Sequence, residues 1–239
     1  MMDTEIREEP AATSPLFKLP EELRLAIYGY VLTVGFPIQW PDDHNDAHLT
    51  PALLRTCRTI HKEATAVLYS TNTLAFQHPS DCNMFGWAHS PDSARQITSI
   101  ALHIRDKDVR SLWTGYLGSA DVHRSLTFDY PALSTLNITF RSNYWLQMHG
   151  QPADKFQQWM SDPHLKDLRL SLLEKAPENL KVRLMAVHRA PPAEIRALVQ
   201  SEELRDKLDV DSETLGVRTE YTRVYNVEVA LALTPTGHI

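Results

Sequence analysis

"QITSIALHI", residues 96–104, alternates apolar and polar side chains, and "LSTLNITF" (133–140) and "LKDLRLSL" (165–172) read the same way. Alternation at every second residue marks a strand with one buried face. Aligning Ile100, Leu136 and Leu168 leaves 36 and then 32 residues between equivalent positions. That is the room needed for a strand, a crossover helix and two loops, so the pattern predicts parallel β-α units. Helices are expected between the strands at about 107–120 and 153–161. "LKVRLMAV" (180–187) and "TRVYNVEVALAL" (222–233) are expected to enlarge the sheet, on either side of a helix over about 192–207. In the last strand the odd-numbered side chains, Tyr225, Val227, Val229 and Leu231, are expected on the core.

The segment before residue 80 is written with a different period. "KLPEELRLAIYGYVL" (18–32) places Pro20 at a helix start, where a missing N–H costs nothing, with Glu21 and Glu22 at the positive end of the helix dipole. Leu19, Leu23, Ile27 and Tyr30 or Val31 then form an apolar stripe at steps of three and four, with Arg24 off it. A second helix is expected from Thr50 as cap and Pro51 in the first turn, with Leu53, Cys57, Ile60, Ala64 and Val67 or Leu68 facing inward. A short strand follows at about 73–77. The prolines of "TVGFPIQWPDDHNDAHLT", Pro37 and Pro41, make a continuous helix between the two implausible.

Composition narrows the function classes. A 239-residue chain with 43% hydrophobic residues has material for a substantial core. A formal charge of −6 argues against a general nucleic-acid surface. Cys57 and Cys82 are too few for a disulfide framework or a cysteine zinc site. The acidic opening "MMDTEIREEPAATSP" lacks secretory order and no apolar run approaches membrane-spanning length, so a cytoplasmic or nuclear protein without membrane contact is expected. Residues 1–15 read as a flexible leader.

Residues 16–76 carry two fragments in a specific order: "LFKLPEELRLAIYGYVL", then "ALLRTCRTIHKEATAVLYSTNTLAF". Together they resemble the fungal F-box-like family, over about a quarter of the chain. The resemblance implies a helical F-box-like module at 16–78 joined to a recognition domain at 79–239. Its expected partners are a Skp-family adaptor, a cullin-based ubiquitin ligase and a protein target, with neither enzymatic activity nor cofactor. By position, Leu19, Pro20, Leu23, Ile27, Leu53, Leu54 and Cys57 would form the adaptor-binding surface. Two departures stand out: the long spacer from Thr33 to Thr50, and Ile60 and His61 where the family commonly has an aromatic. A scaffold without an adaptor is the alternative, and an enzyme ranks third. The expected fold is therefore α+β or α/β: the helical module, then β-α units, with a leucine-rich-repeat-like arrangement as one form.

No Gly-rich phosphate loop, nucleophile elbow or H-E-x-x-H motif is present. His44 and His48, with Asp42, Asp43 and Asp46, have metal-binding residue types, but Pro41 and the Asp/Asn-rich composition favour a solvated loop. Cys57 has His61 one turn away, as an activated thiol would, yet its place on the apolar stripe favours packing. Trp40, Trp87, Trp113, Tyr144, Trp145 and Trp159 supply aromatic bulk for core or interface. "RSNYWLQMHG" (141–150) follows a strand, and loops at the carboxyl ends of parallel strands build binding sites. Arg141, Tyr144 and Trp145 are therefore expected at a recognition surface.

Overall fold

The computed structural model describes residues 14–41, 49–88, 91–175, 179–211, 213–224 and 227–236. The leader falls almost wholly outside these residues, as does the "DDHNDAH" cluster at 42–48. Nine strands form one mostly parallel sheet among the described residues: β1 (Ile38–Gln39), β2 (Thr73–Phe76), β3 (Ser99–Arg105), β4 (Thr135–Ser142), β5 (Lys181–Ala190), β6 (Leu208–Val210), β7 (Val217–Thr219), β8 (Thr222–Val224) and β9 (Val227–Pro235). Strands β1 to β5 lie side by side in chain order and all parallel, followed by β9, also parallel. Strands β7 and β8 pair antiparallel with β9, and β6 pairs with β7.

Register makes the architecture explicit. Ile38, Leu74, Ile100, Leu136, Val182 and Val227 form one row across six strands. In β3 to β5 the even-numbered side chains are buried, and in β9 the odd-numbered ones. They share one hydrophobic core with helix-borne Trp113, Tyr116, Trp145, Trp159, Leu165, Leu168, Ile195 and Leu198. Strands added successively in one direction by right-handed crossovers place their helices on a single face. The alternate side chains point the other way and remain exposed or half-buried, apart from small alanines such as Ala75 and Ala101.

Of the six expected strands, those at about 73–77, 96–104, 133–140 and 180–187 fall on β2, β3, β4 and β5. The last, 222–233, separates into β8 and β9, which pair antiparallel. Residues 165–172 are not a strand: Pro163–Lys175 is a helix. Leu168, Leu170 and Leu172 imitate alternation, yet the buried set is Leu165, Leu168 and Leu172, at helical spacing, and Leu170 is exposed. The Asp162 carboxylate starts the helix by accepting from the backbone N–H of His164 (2.8 Å) and Leu165 (3.4 Å). The third repeat of the sheet is therefore β5, with Val182 rather than Leu168 in register with Leu136. The 107–120 helix is a succession of Asp106–Asp108, a π turn at Val109–Trp113 and Thr114–Leu117. The 153–161 and 192–207 segments are likewise divided, into Pro152–Gln158 with a 3-10 turn, and Pro192–Gln200 with Glu202–Arg205.

The N-terminal helices are α1 (Glu21–Leu32) and α2 (Arg58–Thr71). Residues 51–55 form a separate 3-10 turn, and Thr50 makes no side-chain cap. The cap of α2 is Cys57, whose sulfur accepts from the Ile60 N–H at 3.5 Å. The face of α1 turned inward is Leu25, Tyr28 and Leu32, against Ile60, Ala64 and Leu68 of α2. Of the apolar stripe read from the sequence, Leu23, Ile27 and Tyr30 are exposed, while Leu19 and Val31 are half-buried. A polar clamp sets this rotation. Arg24 donates to both Glu63 carboxylate oxygens (3.0 and 2.5 Å), and the Tyr28 hydroxyl donates to the same group at 3.0 Å. Arg24 and Tyr28, four residues apart, must therefore both face α2.

The helix pair has its own small core, and Tyr69 touches both this core and the larger one. Strands β1 and β2, within 16–78, nevertheless belong to the same sheet as β3, so a line at residue 78 runs between neighbouring strands of one sheet. Buried Asn72 fastens the join: its amide donates to Leu32 O (2.7 Å) and Leu68 O (2.8 Å), and its oxygen accepts from Val34 N–H (2.9 Å). Asn72→Ala is expected to cost about 2 kcal/mol in urea unfolding, since buried backbone groups lose their partners. A cost below about 0.5 kcal/mol would show that the join does not depend on them.

Candidate functional site

Two surfaces remain once the core is accounted for. The first is the outer face of α1. Pro20 is exposed, and Leu23, Ile27 and Tyr30 follow at helical spacing with 53%, 40% and 91% of their surface open. The expected adaptor residues thus divide: Pro20, Leu23 and Ile27 are accessible, whereas Leu19, Leu53, Leu54 and Cys57 are half-buried. Leu53, Leu54 and Cys57 pack against the helix-pair core. His61 Nδ1 lies 2.9 Å from the Leu54 carbonyl oxygen, and the Cys57 sulfur is engaged by the Ile60 N–H.

The second surface is the open sheet face. Side chains there stand in rows set by the register: Thr73, Ser99, Thr135 and Lys181; then Gln39, Ala75, Ala101, Asn137, Arg183 and Glu228; then His103, Thr139, Met185 and Ala230; then Arg105, Arg141 and Val187. Met185 and Val187 lie outside the hydrophobic core, as expected for this side of the sheet. A cleft of about 190 Å³ opens near the carboxyl ends of β1 to β4, lined by Gln39, Gln77, His103, Ile104, Arg105 and Arg141. Burial, and secondarily the Arg141 charge, push the His103 pKa down, so its imidazole is neutral at pH 7.

Arg141 lies on this face as expected, but Tyr144 and Trp145 do not join it. Trp145 is fully buried on the helical side, where its indole N–H donates to Glu194 at 2.7 Å. The buried ammonium of Lys155 meets the same carboxylate at 3.0 Å and lies 6.0 Å from the ring centroid. Tyr144 is half-buried against the core, its hydroxyl 3.5 Å from Ser161 Oγ. The strand ends at Ser142, and the short helix Tyr144–Gln147 carries both aromatics to the helical side. Among the other aromatics, Trp113 and Trp159 are core, Trp40 packs against Phe76 and Phe85, and Trp87 is exposed.

No family model, curated protein or solved structure matches the chain. Residue chemistry must therefore carry the functional reading. No cluster of three or more His, Cys, Asp or Glu side chains suited to a metal occurs among the described residues. No helix among them is long and apolar enough to cross a membrane. An apolar pocket of about 280 Å³ at the amino ends of β4 and β5, between Leu117, Leu126, Tyr130, Leu172 and Leu180, is lined by no charged side chain among the described residues.

Gln39, Gln77, His103 and Arg105 were not among the expected site residues. The signal for one of them lay in the repeat: Arg105 stands 36 residues before the expected Arg141, as Ile100 stands before Leu136. The same spacing that aligns the core aligns the two arginines.

Proposed function

We propose that the protein is a non-enzymatic interaction protein of F-box-like type, with the α1 helix docking a Skp-family adaptor and the open sheet face holding a protein target. The observation that carries this reading is the exposed apolar ridge of Leu23, Ile27 and Tyr30. The Arg24–Glu63–Tyr28 clamp turns that ridge outward while the helix buries its opposite side. Leucine and isoleucine displayed in sequence on a rigid helix suit insertion into a partner groove. The adaptor contact is accordingly smaller than the motif implies: Pro20, Leu23 and Ile27, extended by Tyr30, with Leu53, Leu54 and Cys57 supporting the helix from within. Parallel strands in chain order, helices on one face and a polar opposite face support a leucine-rich-repeat-like reading of the remainder. In this role the protein would bring its target to a cullin-based ligase in the cytoplasm or nucleus.

The test is retention of a purified Skp-family adaptor on the immobilised protein. Leu23→Asp combined with Ile27→Asp is expected to weaken retention by about tenfold or more, since two apolar contacts become buried charges. Leu170→Asp, on an exposed face of the Pro163–Lys175 helix, serves as control. Equal retention by the double variant would overturn the docking face. No retention by the unaltered protein would favour a scaffold that binds its target without an adaptor.

A further inference from the structure

We propose that the cleft of Gln39, Gln77, His103, Arg105 and Arg141 is an oxyanion site that takes a carboxylate or phosphoryl group on a peptide segment of the target. The inference rests on the reading of the open face as target-holding, and not on adaptor docking. Three features of the face lead to it. Arg105 and Arg141 are direct partners in the β3–β4 register and project from the same side of the sheet. Like charges at that spacing repel unless a counter-charge joins them. The sheet supplies such a charge elsewhere: Arg183, on the same face, faces Glu228 in register and donates to it at 2.6 Å. At Arg141 the corresponding neighbour is Val187, and Arg141 forms no ion pair among the described residues.

The Arg105 guanidinium is partly occupied, with its Nε donating to Asp108 at 2.7 Å. That bond orients the group and leaves the terminal nitrogens for a ligand, the usual geometry for a planar donor that binds carboxylate or phosphate. Neutral His103 and the amides of Gln39 and Gln77 add uncharged hydrogen-bonding groups around the cleft. The volume suits one anionic group with its immediate chain. Two guanidinia in a chain of net charge −6 favour a single acidic side chain over the continuous phosphate track of a nucleic acid.

Backbone amide shifts of the full chain report the test. The probes are a capped Gly-Ser-Glu-Glu-Ser-Gly peptide, its counterpart with phosphoserine replacing both glutamates, its glutamine counterpart, and a thymidine pentanucleotide. Saturable shifts at residues 103–105 and 139–141 are expected with the glutamate or phosphoserine peptide, and the tighter of the two identifies the group. Arg141→Gln should weaken that binding by about tenfold. Arg205→Gln, the same charge change on an exposed residue of the helical side, should alter it by less than about twofold. Equal shifts with the glutamine peptide, equal losses from both variants, or no saturable binding of either anionic peptide would overturn the site. Tighter, Arg141-dependent binding of the oligonucleotide would overturn the peptide assignment. Adaptor retention is unaffected by any of these results.

Discussion

Trp145→Ala is expected to lower the unfolding free energy by about 4 kcal/mol, near the upper range for removing a buried aromatic. The ring is wholly enclosed in the main core, so its removal leaves a cavity that strands β4 and β5 cannot fill without losing register. A second loss adds to the first. Glu194 accepts from the Trp145 indole and from Lys155, whose side chain is buried, so removing the indole weakens the setting of an ion pair that has already given up much of its hydration. Trp145→Phe keeps a six-membered ring in the core while losing the N–H and the rest of the five-membered ring, so its smaller expected cost of about 2 kcal/mol combines the lost hydrogen bond with a small cavity. Urea unfolding of both variants is the measurement. A loss below about 1 kcal/mol for Trp145→Ala would return this residue to the surface role its sequence position suggests.

Acid should destabilise the protein through His188. This side chain is fully buried, neither ring nitrogen has a hydrogen-bond partner among the described residues, and burial pushes its pKa down to about 4, against the opposing pull of Asp162 and Asp106. The unfolded chain takes up a proton near pH 6.5 that the folded protein refuses until about pH 4. Stability is therefore complete above pH 6.5 and falls as the pH drops through this window, by about 3 kcal/mol in all. His188→Leu should remove that slope between pH 6.5 and 4, leaving the contribution of the carboxylates. It should also raise stability at pH 7, because a buried ring N–H without an acceptor is no longer enclosed. Parallel pH slopes for the two proteins would exclude His188 as the source.

These residues also show where sequence periodicity was informative. Strands β3, β4, β5 and β9 were legible because one side of the sheet is sealed by helices, which enforces alternation over several residues. Leu165–Leu172 was misread because helical and alternating templates share Leu168 and Leu172, and Asp162–Pro163, the start signal that separates them, stands just outside the apolar run. In α1, two apolar stripes compete, Leu23–Ile27–Tyr30 and Leu25–Tyr28–Leu32. Hydrophobicity alone does not choose between them. The choice falls to a charge, because Arg24 reaches Glu63 only if the second stripe faces α2.

The candidate site followed the same pattern. Arg141 was legible as a residue at the carboxyl end of a predicted strand. Trp145 was not, because four residues farther on the chain has crossed to the helical side, and aromatic bulk serves a core as well as an interface. Arg105 and His103 come from β3, Gln39 from β1 and Gln77 from just past β2, so only the register brings them together.

That register separates two kinds of change. Along β3, β4 and β5, alternate residues hold the fold together while those between them face outward, each row of the open face taking one side chain from each strand. A substitution at Asn137, Thr139 or Arg141 thus alters one position of a two-dimensional pattern and leaves Leu136, Ile138 and Phe140 in place. The open face can therefore change one residue at a time, in any order, on a scaffold whose stability is set by different residues.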